Sequence, residues 1–280
     1  MTKDPAILRD SAKPRELADT ARLFAASSDP GDQQVLEAHL GSANFLDRLD
    51  PPAAYQVYRP HQLRVAGILR TLMDQDAPAP RRTLVNLTAA PEFRSRDLLI
   101  ALLIRALAAD VPASPRTVSY WEEHLDPESV YADDVVRAIF LNRSRPALEL
   151  FERVMNDPRQ DDEYKYAWLR DMLLARRNDL EVLECCERMI IGGSVDAGWH
   201  EAILEALFDF EPSWYLTCRK PRPPLRVLAS EPSRDSLERL ARHGLAHVEF
   251  VNPGLPTKIR LAMQEIGRSL GEEVEEDAPL

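Results

Sequence analysis

The feature that most constrains this chain is a spacing. Short apolar segments with helical periodicity return about every 34 residues in two interleaved series. One series is anchored at Leu84, Val118, Leu148, Val182 and Leu237, with steps of 34, 30, 34 and 55 residues. The other is anchored at Leu63, Leu98, Val135, Ala167, Ile203 and Ile259, with steps of 35, 37, 32, 36 and 56. Runs that alternate with period two are almost absent, so the expected fold class is all-α. Two alternating series of one period predict an α-solenoid of about six helix pairs over residues 32–270. The long last step places an insertion at residues 211–233, where five prolines break any regular element. Residues 1–31 are expected to be an irregular N-terminal segment and 271–280 a disordered acidic tail.

Composition agrees with this pattern. Proline is frequent, at 22, and falls mostly between the apolar runs, where it starts or stops helices. Glycine is scarce, at 10, which counts against folds that spend it on phosphate loops and tight hairpins. In SRPALELFERVMNDP, Leu148, Phe151, Val154 and Met155 fall on one face of a helix. The following segment, DDEYKYAWLRDMLLARR, has apolar residues around much of its circumference (Tyr164, Ala167, Trp168, Met172, Leu173, Ala175), which predicts packing on more than one side.

Two stretches of the second series rhyme. PHQLRVAGILRTL, from Pro60, and PTKIRLAMQEIGRSLG, from Pro256, share a proline followed by aliphatic-Arg-aliphatic-Ala: Leu63, Arg64, Val65, Ala66 against Ile259, Arg260, Leu261, Ala262. The later stretch resembles the second helix of a HEAT-like repeat of the short bacterial type, through Arg260, Ala262, Ile266, Gly267, Leu270 and Gly271. Arg64, Ala66 and Leu72 repeat part of that motif. The resemblance implies stacked helix pairs and an extended concave surface made by the second helices. It implies for Arg64 and Arg260 a packing or capping role.

Charge and cysteine content narrow the function classes. The formal net charge is −11, five negatives of which lie in GEEVEEDAPL, and an acidic balance disfavours general nucleic-acid or anionic-membrane binding. Cys185, Cys186 and Cys218 form neither a disulfide framework nor a zinc spacing, and no apolar stretch is long enough for a signal peptide or a membrane span. A cytoplasmic location follows as the expectation. Neither GxSxG nor GxxxxGK[ST] occurs. Adjacent Cys185 and Cys186 read as buried filler. His200-Glu201 resembles one pair of the HEAT-type di-iron hydroxylases, but a di-iron site needs several such pairs, and no metal or cofactor is expected. His243 and His247, at i and i+4, could share a metal on one helix face. Gly244 between them predicts instead that the helix ends there and leaves His247 outside it.

Candidate binding residues fall in two groups. Arg82, Arg116, Arg145 and Arg177 recur at 34, 29 and 32 residues just ahead of successive first helices, a rim ladder suited to phosphates or an acidic peptide. The competing account makes them cations behind the C-terminal ends of the preceding helices. Trp214, Tyr215, Arg219, Lys220 and Arg222 lie in the insertion, either as a loop hot spot or as a cover for the last repeat. The expected function is protein–protein interaction, as scaffold, adaptor or regulatory subunit with an unidentified protein partner. The alternative is a nucleic-acid binder or enzyme resembling the HEAT-like alkylpurine DNA glycosylases. A lyase-type chaperone of a pigment-bearing protein is a third class in which short HEAT-like repeats occur.

Overall fold

A computed structural model describes residues 3–57, 60–126, 129–176, 179–208, 230–268 and 270, and all regular structure among them is helical. The elements run α1 Pro5–Asp10, α2 Pro14–Ala25, α3 Pro30–Leu40, α4 Ala43–Leu49, α5 Ala54–Val57, α6 Arg64–Met73, α7 Pro78–Leu87, α8 Glu92–Ser95 and α9 Asp97–Ala106. They continue with α10 Pro115–Glu123, α11 Ala132–Asn142, α12 Arg145–Asn156, α13 Asp162–Arg176, α14 Leu180–Ile190, α15 His200–Phe208, α16 Glu231–His247 and α17 Leu255–Glu265. None of the described helices is long and apolar enough to cross a membrane. The chain divides into two compact units, residues 1–150 and 151–280, and the boundary falls inside α12.

Proline explains many of the helix starts. It occupies the first or second position of α1, α2, α3, α7, α10, α16 and α17, where its fixed φ suits the helix and its missing N–H removes no bond. Side-chain caps complete several of these ends. Asp29 accepts from the N–H groups of Gly31 and Asp32, Ser114 from Thr117 and Ser230 from Ser233.

Residues 1–31 are not irregular. Leu17, Ala18, Ala21, Phe24 and Ala25 are buried at helical spacing on α2, with Arg15, Glu16, Asp19 and Arg22 left for its other side. Within residues 1–150, α2 packs on α3 and α6, α6 on α9, α9 on α11, and α3 on α7. Within residues 151–280, α13 packs on α15, α15 on α17, and α14 on α16. Each anchor of the first series lies in α7, α10, α12, α14 or α16; those of the second lie in α9, α11, α13, α15 and α17, with Leu63 as the residue before α6.

Polar side chains close the turns between helices. Buried Asp50, at the end of α4, accepts from the backbone N–H groups of Arg64 (3.0 Å) and Val65 (2.9 Å) and from the Arg64 guanidinium (3.3 Å), so it caps α6 across sequence. Asp110 accepts from the Ser114 N–H and the Thr117 hydroxyl at the start of α10. Asn142, the last residue of α11, donates to the carbonyls of Ala108 and Asp110. In the second unit the carboxylate of Glu152 accepts from Arg188 (2.8 Å to Nε), Ser194 (2.9 Å) and the Cys185 thiol (3.5 Å).

The rhyming stretches prove out of register. On α6 the buried positions are Val65, Ile68, Leu69 and Leu72; on α17 they are Ile259, Ala262, Met263 and Ile266. The burial patterns superpose when Val65 is set against Ile259, two residues away from the alignment of identical letters. In that alignment buried Val65 stands opposite Leu261, which is 54% exposed. Arg64 opens its helix and binds Asp50 and the Leu49 carbonyl, whereas Arg260 sits in the middle of its helix.

Among its described side chains, helix α13 is buried along one face. Trp168, Leu169, Met172 and Leu173 are buried, while Tyr164 is 61% exposed and Ala167 is exposed. Tyr164 lies stacked on Trp168 one turn along, 6.1 Å between ring centroids. The breadth of the apolar arc thus reflects aromatic rings lying along the helix rather than a second packed neighbour. Ala175 has no described side chain.

Candidate functional site

Helices α3 and α7 lie side by side and leave a cleft of about 270 Å³ between them. Its floor is Gln33, 2% exposed, whose amide donates to the carbonyls of Phe24 (2.9 Å) and Ser27 (2.6 Å) and accepts from the Thr83 hydroxyl (3.0 Å). That amide is fully used, so it shapes the cleft and leaves ligand contact to the walls. On the walls Glu37 accepts from the Asn86 amide (2.9 Å), and Asn86 accepts in turn from Arg116 of α10 (3.2 Å). Gln34 and Arg82 complete the lining.

The structure thus brings two of the four ladder arginines to one place. Arg82 is exposed on α7 and lines the cleft directly; Arg116 is exposed and tied to it through Asn86. Arg145 opens α12 and pairs with Glu149 one turn on, at 2.7 Å. Arg177, like Trp214, Tyr215, Arg219, Lys220 and Arg222, lies outside the described residues. The account of these arginines as cations behind a preceding helix C-terminus is overturned for Arg82 and Arg116. Arg82 sits nine residues past the end of α6 and Arg116 is the second residue of α10. A cation near a helix N-terminus opposes the macrodipole of its own helix, which is where Arg116 stands on α10.

A second cleft of about 320 Å³ in the same unit is lined by Asp47, Pro52, Tyr55, Arg96, Asp97 and Leu98. Arg96 bonds Asp47 (2.7 Å) and Glu92 (2.5 Å) and stands 5.7 Å from the centre of the Tyr55 ring. Burial first, and the nearby Asp50 charge second, push the Tyr55 hydroxyl up to about 12, so it stays protonated. Asp97 at the mouth accepts from the Tyr131 hydroxyl at 2.8 Å.

Cys185 and Cys186 are both fully buried in the second unit, and desolvation holds both thiols well above their ordinary range. They are packing groups and not nucleophiles. The expectation that Gly244 ends its helix is wrong: α16 runs through His247. Gly244 is buried where α16 meets α15, and a Cβ there would stand 2.6 Å from Leu204 Cδ1. A glycine inside a helix can serve close approach of a neighbour as readily as termination. His243 and His247 therefore do share a face, with ring centroids 4.7 Å apart. No group of three histidine, cysteine or acidic side chains poised around an ion occurs among the described residues.

Sequence reasoning missed Gln33, Glu37 and Asn86. The signal for Gln33 was present, since it shares a helix face with Leu36 and Leu40, and an amide on an apolar face must be bonded. Compared with family models, curated proteins and solved structures, the chain matches none.

Proposed function

We propose that this chain is a stack of HEAT-like helix pairs that binds another protein, acting as a scaffold, adaptor or regulatory subunit. The observation that carries the reading is the succession of like helices on like: α2, α6, α9 and α11 in one unit, and α13, α15 and α17 in the other. Repeats stacked in this way present long ribbons of side chains fixed by neighbours on both sides, a surface suited to extended partners. The cleft between α3 and α7 is the best-formed part of that surface for a polar partner. Exposed Arg82 and Gln34 offer hydrogen-bond donors there, and Glu37 and Arg116 hold half-buried Asn86 in place between them. On this reading the partner meets α3 and α7, the latter a helix of the first series, in addition to any surface of the second helices that the HEAT-like resemblance implies. The clustering of arginine with amides favours a partner segment rich in carboxylates and free backbone carbonyls.

The test is capture of partners by the tagged full-length chain from its native cell, run in parallel with Arg82→Glu. Arg82 is exposed, so the variant should melt within about 1 °C of the parent, as surface substitutions usually do. A partner retained by the parent and lost by the variant supports the reading; a partner held equally by both removes the cleft from it. Retention of duplex DNA on a filter at low salt, abolished by the same substitution, would replace the protein partner with nucleic acid.

A further inference from the structure

Two imidazoles stand together near the close of α16, and a third histidine opens the neighbouring α15. His243 and His247 lie one turn apart on the same face of α16, ring centroids 4.7 Å apart and planes inclined at 51°. His200 is the first residue of α15, which packs on α16, and its Nε2 is enclosed without a hydrogen-bond partner. Gly244, lying between the pair, admits the Leu204 side chain and so lets the two helices approach closely. Glu201, the carboxylate beside His200, is engaged by the backbone N–H groups of Val251 (3.0 Å) and Asn252 (2.7 Å). Arg242 is held by Glu238 at 2.8 Å. The donors facing one another here are therefore ring nitrogens.

We propose that His243 and His247 form a two-nitrogen site for a late first-row divalent cation, with water on the remaining positions. Imidazole donors without a free carboxylate select Cu²⁺, Ni²⁺ and Zn²⁺ over Mg²⁺ and Ca²⁺, and copper should bind most tightly. Open positions make the site exchangeable and able to accept a donor from outside.

Titration calorimetry on the full-length chain with Cu²⁺ and with Zn²⁺, in a non-chelating buffer at about pH 7.5, tests this, with Mg²⁺ as control. The expected result is one equivalent of Zn²⁺, weakened about tenfold or more by either His243→Ala or His247→Ala. His61→Ala, an exposed histidine elsewhere, should bind like the parent. His247 is also exposed, so its variant separates lost ligation from lost folding, which circular dichroism would report. The same titration in Cys218→Ser removes a competing thiol. Zn²⁺ binding that survives His247→Ala unchanged, that disappears in Cys218→Ser alone, or that is absent below about 1 mM metal overturns the proposal.

Discussion

Gln33 in the first unit and Glu152 in the second occupy similar positions in their packing and use opposite chemistry. Each is a buried polar side chain, 2% and 7% exposed, that ties three partners together across a helix contact. Gln33 meets two carbonyls at the end of α2 and one hydroxyl of α7, all neutral. Glu152 meets a guanidinium, a hydroxyl and a thiol, and so holds a charge that must stay compensated. A neutral amide satisfies groups that water could satisfy almost as well if the site opened. The carboxylate leaves behind, when lost, a cation that the fold has partly removed from water.

The largest effect should follow from Glu152→Ala, which removes the buried carboxylate that pairs with the Arg188 guanidinium, 29% exposed, and that accepts from Ser194 and Cys185. A loss of about 2 to 3 kcal/mol is expected by urea unfolding, toward the low end for a buried pair because Arg188 keeps some solvent. Replacing both partners with leucine should recover most of that loss. If the double variant is as unstable as the single one, the charge compensation argument fails and lost packing is the cause.

Gln33→Leu comes next, at about 2 kcal/mol, because it takes the amide from the half-buried Ser27 carbonyl, while the Phe24 carbonyl keeps the Ser27 N–H and the Thr83 hydroxyl keeps the Ala79 carbonyl. Thr83→Val should cost about half as much, since the amide keeps its carbonyl partners. Equal losses for Gln33→Leu and Glu152→Ala would erase the distinction between the two centres.

A smaller effect is expected at Gly244. Alanine there gains roughly 1 kcal/mol of helix propensity but forces a methyl to within 2.6 Å of Leu204 Cδ1. The net change should be a destabilisation of about 1 kcal/mol, measured by thermal or urea unfolding. In a Leu204→Val background the penalty should largely vanish, and a penalty unchanged there would place the strain elsewhere.

The helices themselves were legible in the sequence because burial imposes a period, and all of the anchor segments do form or border helices. What was not legible shares a cause. A one-letter rhyme reports side-chain identity, whereas packing selects the face, and Arg64 and Arg260 show that the two can differ by two residues. Gly244 carries the same letter whether it ends a helix or admits a neighbour, and only the position of Leu204 decides. The helix α2 escaped notice because it precedes the periodic series, although Leu17, Ala21 and Phe24 carried a helical face in plain view. Of the candidate site, Arg82 and Arg116 were visible as a ladder. The tie of Arg116 to the cleft through Asn86 was not, because residues 30 apart come together only when α7 and α10 are placed.

The smallest effect concerns the histidine pair and returns to charge compensation, this time unmet. His243 has no carboxylate partner among its hydrogen bonds or ion pairs, and burial, followed by its two histidine neighbours, holds it below its unfolded value near 6.5. The unfolded chain therefore binds a proton at that ring more readily than the folded one. Its contribution to stability is complete above about pH 6.5 and is lost as pH falls from there through the lower folded value. His247→Ala removes one of the repelling charges and should make stability less sensitive to pH between about 6.5 and 5. Denaturant midpoints of parent and variant at a few pH values across that window measure it. Curves that stay parallel would show that the pair does not interact in the folded chain, and would separate this end of the second unit from the compensated carboxylate at Glu152.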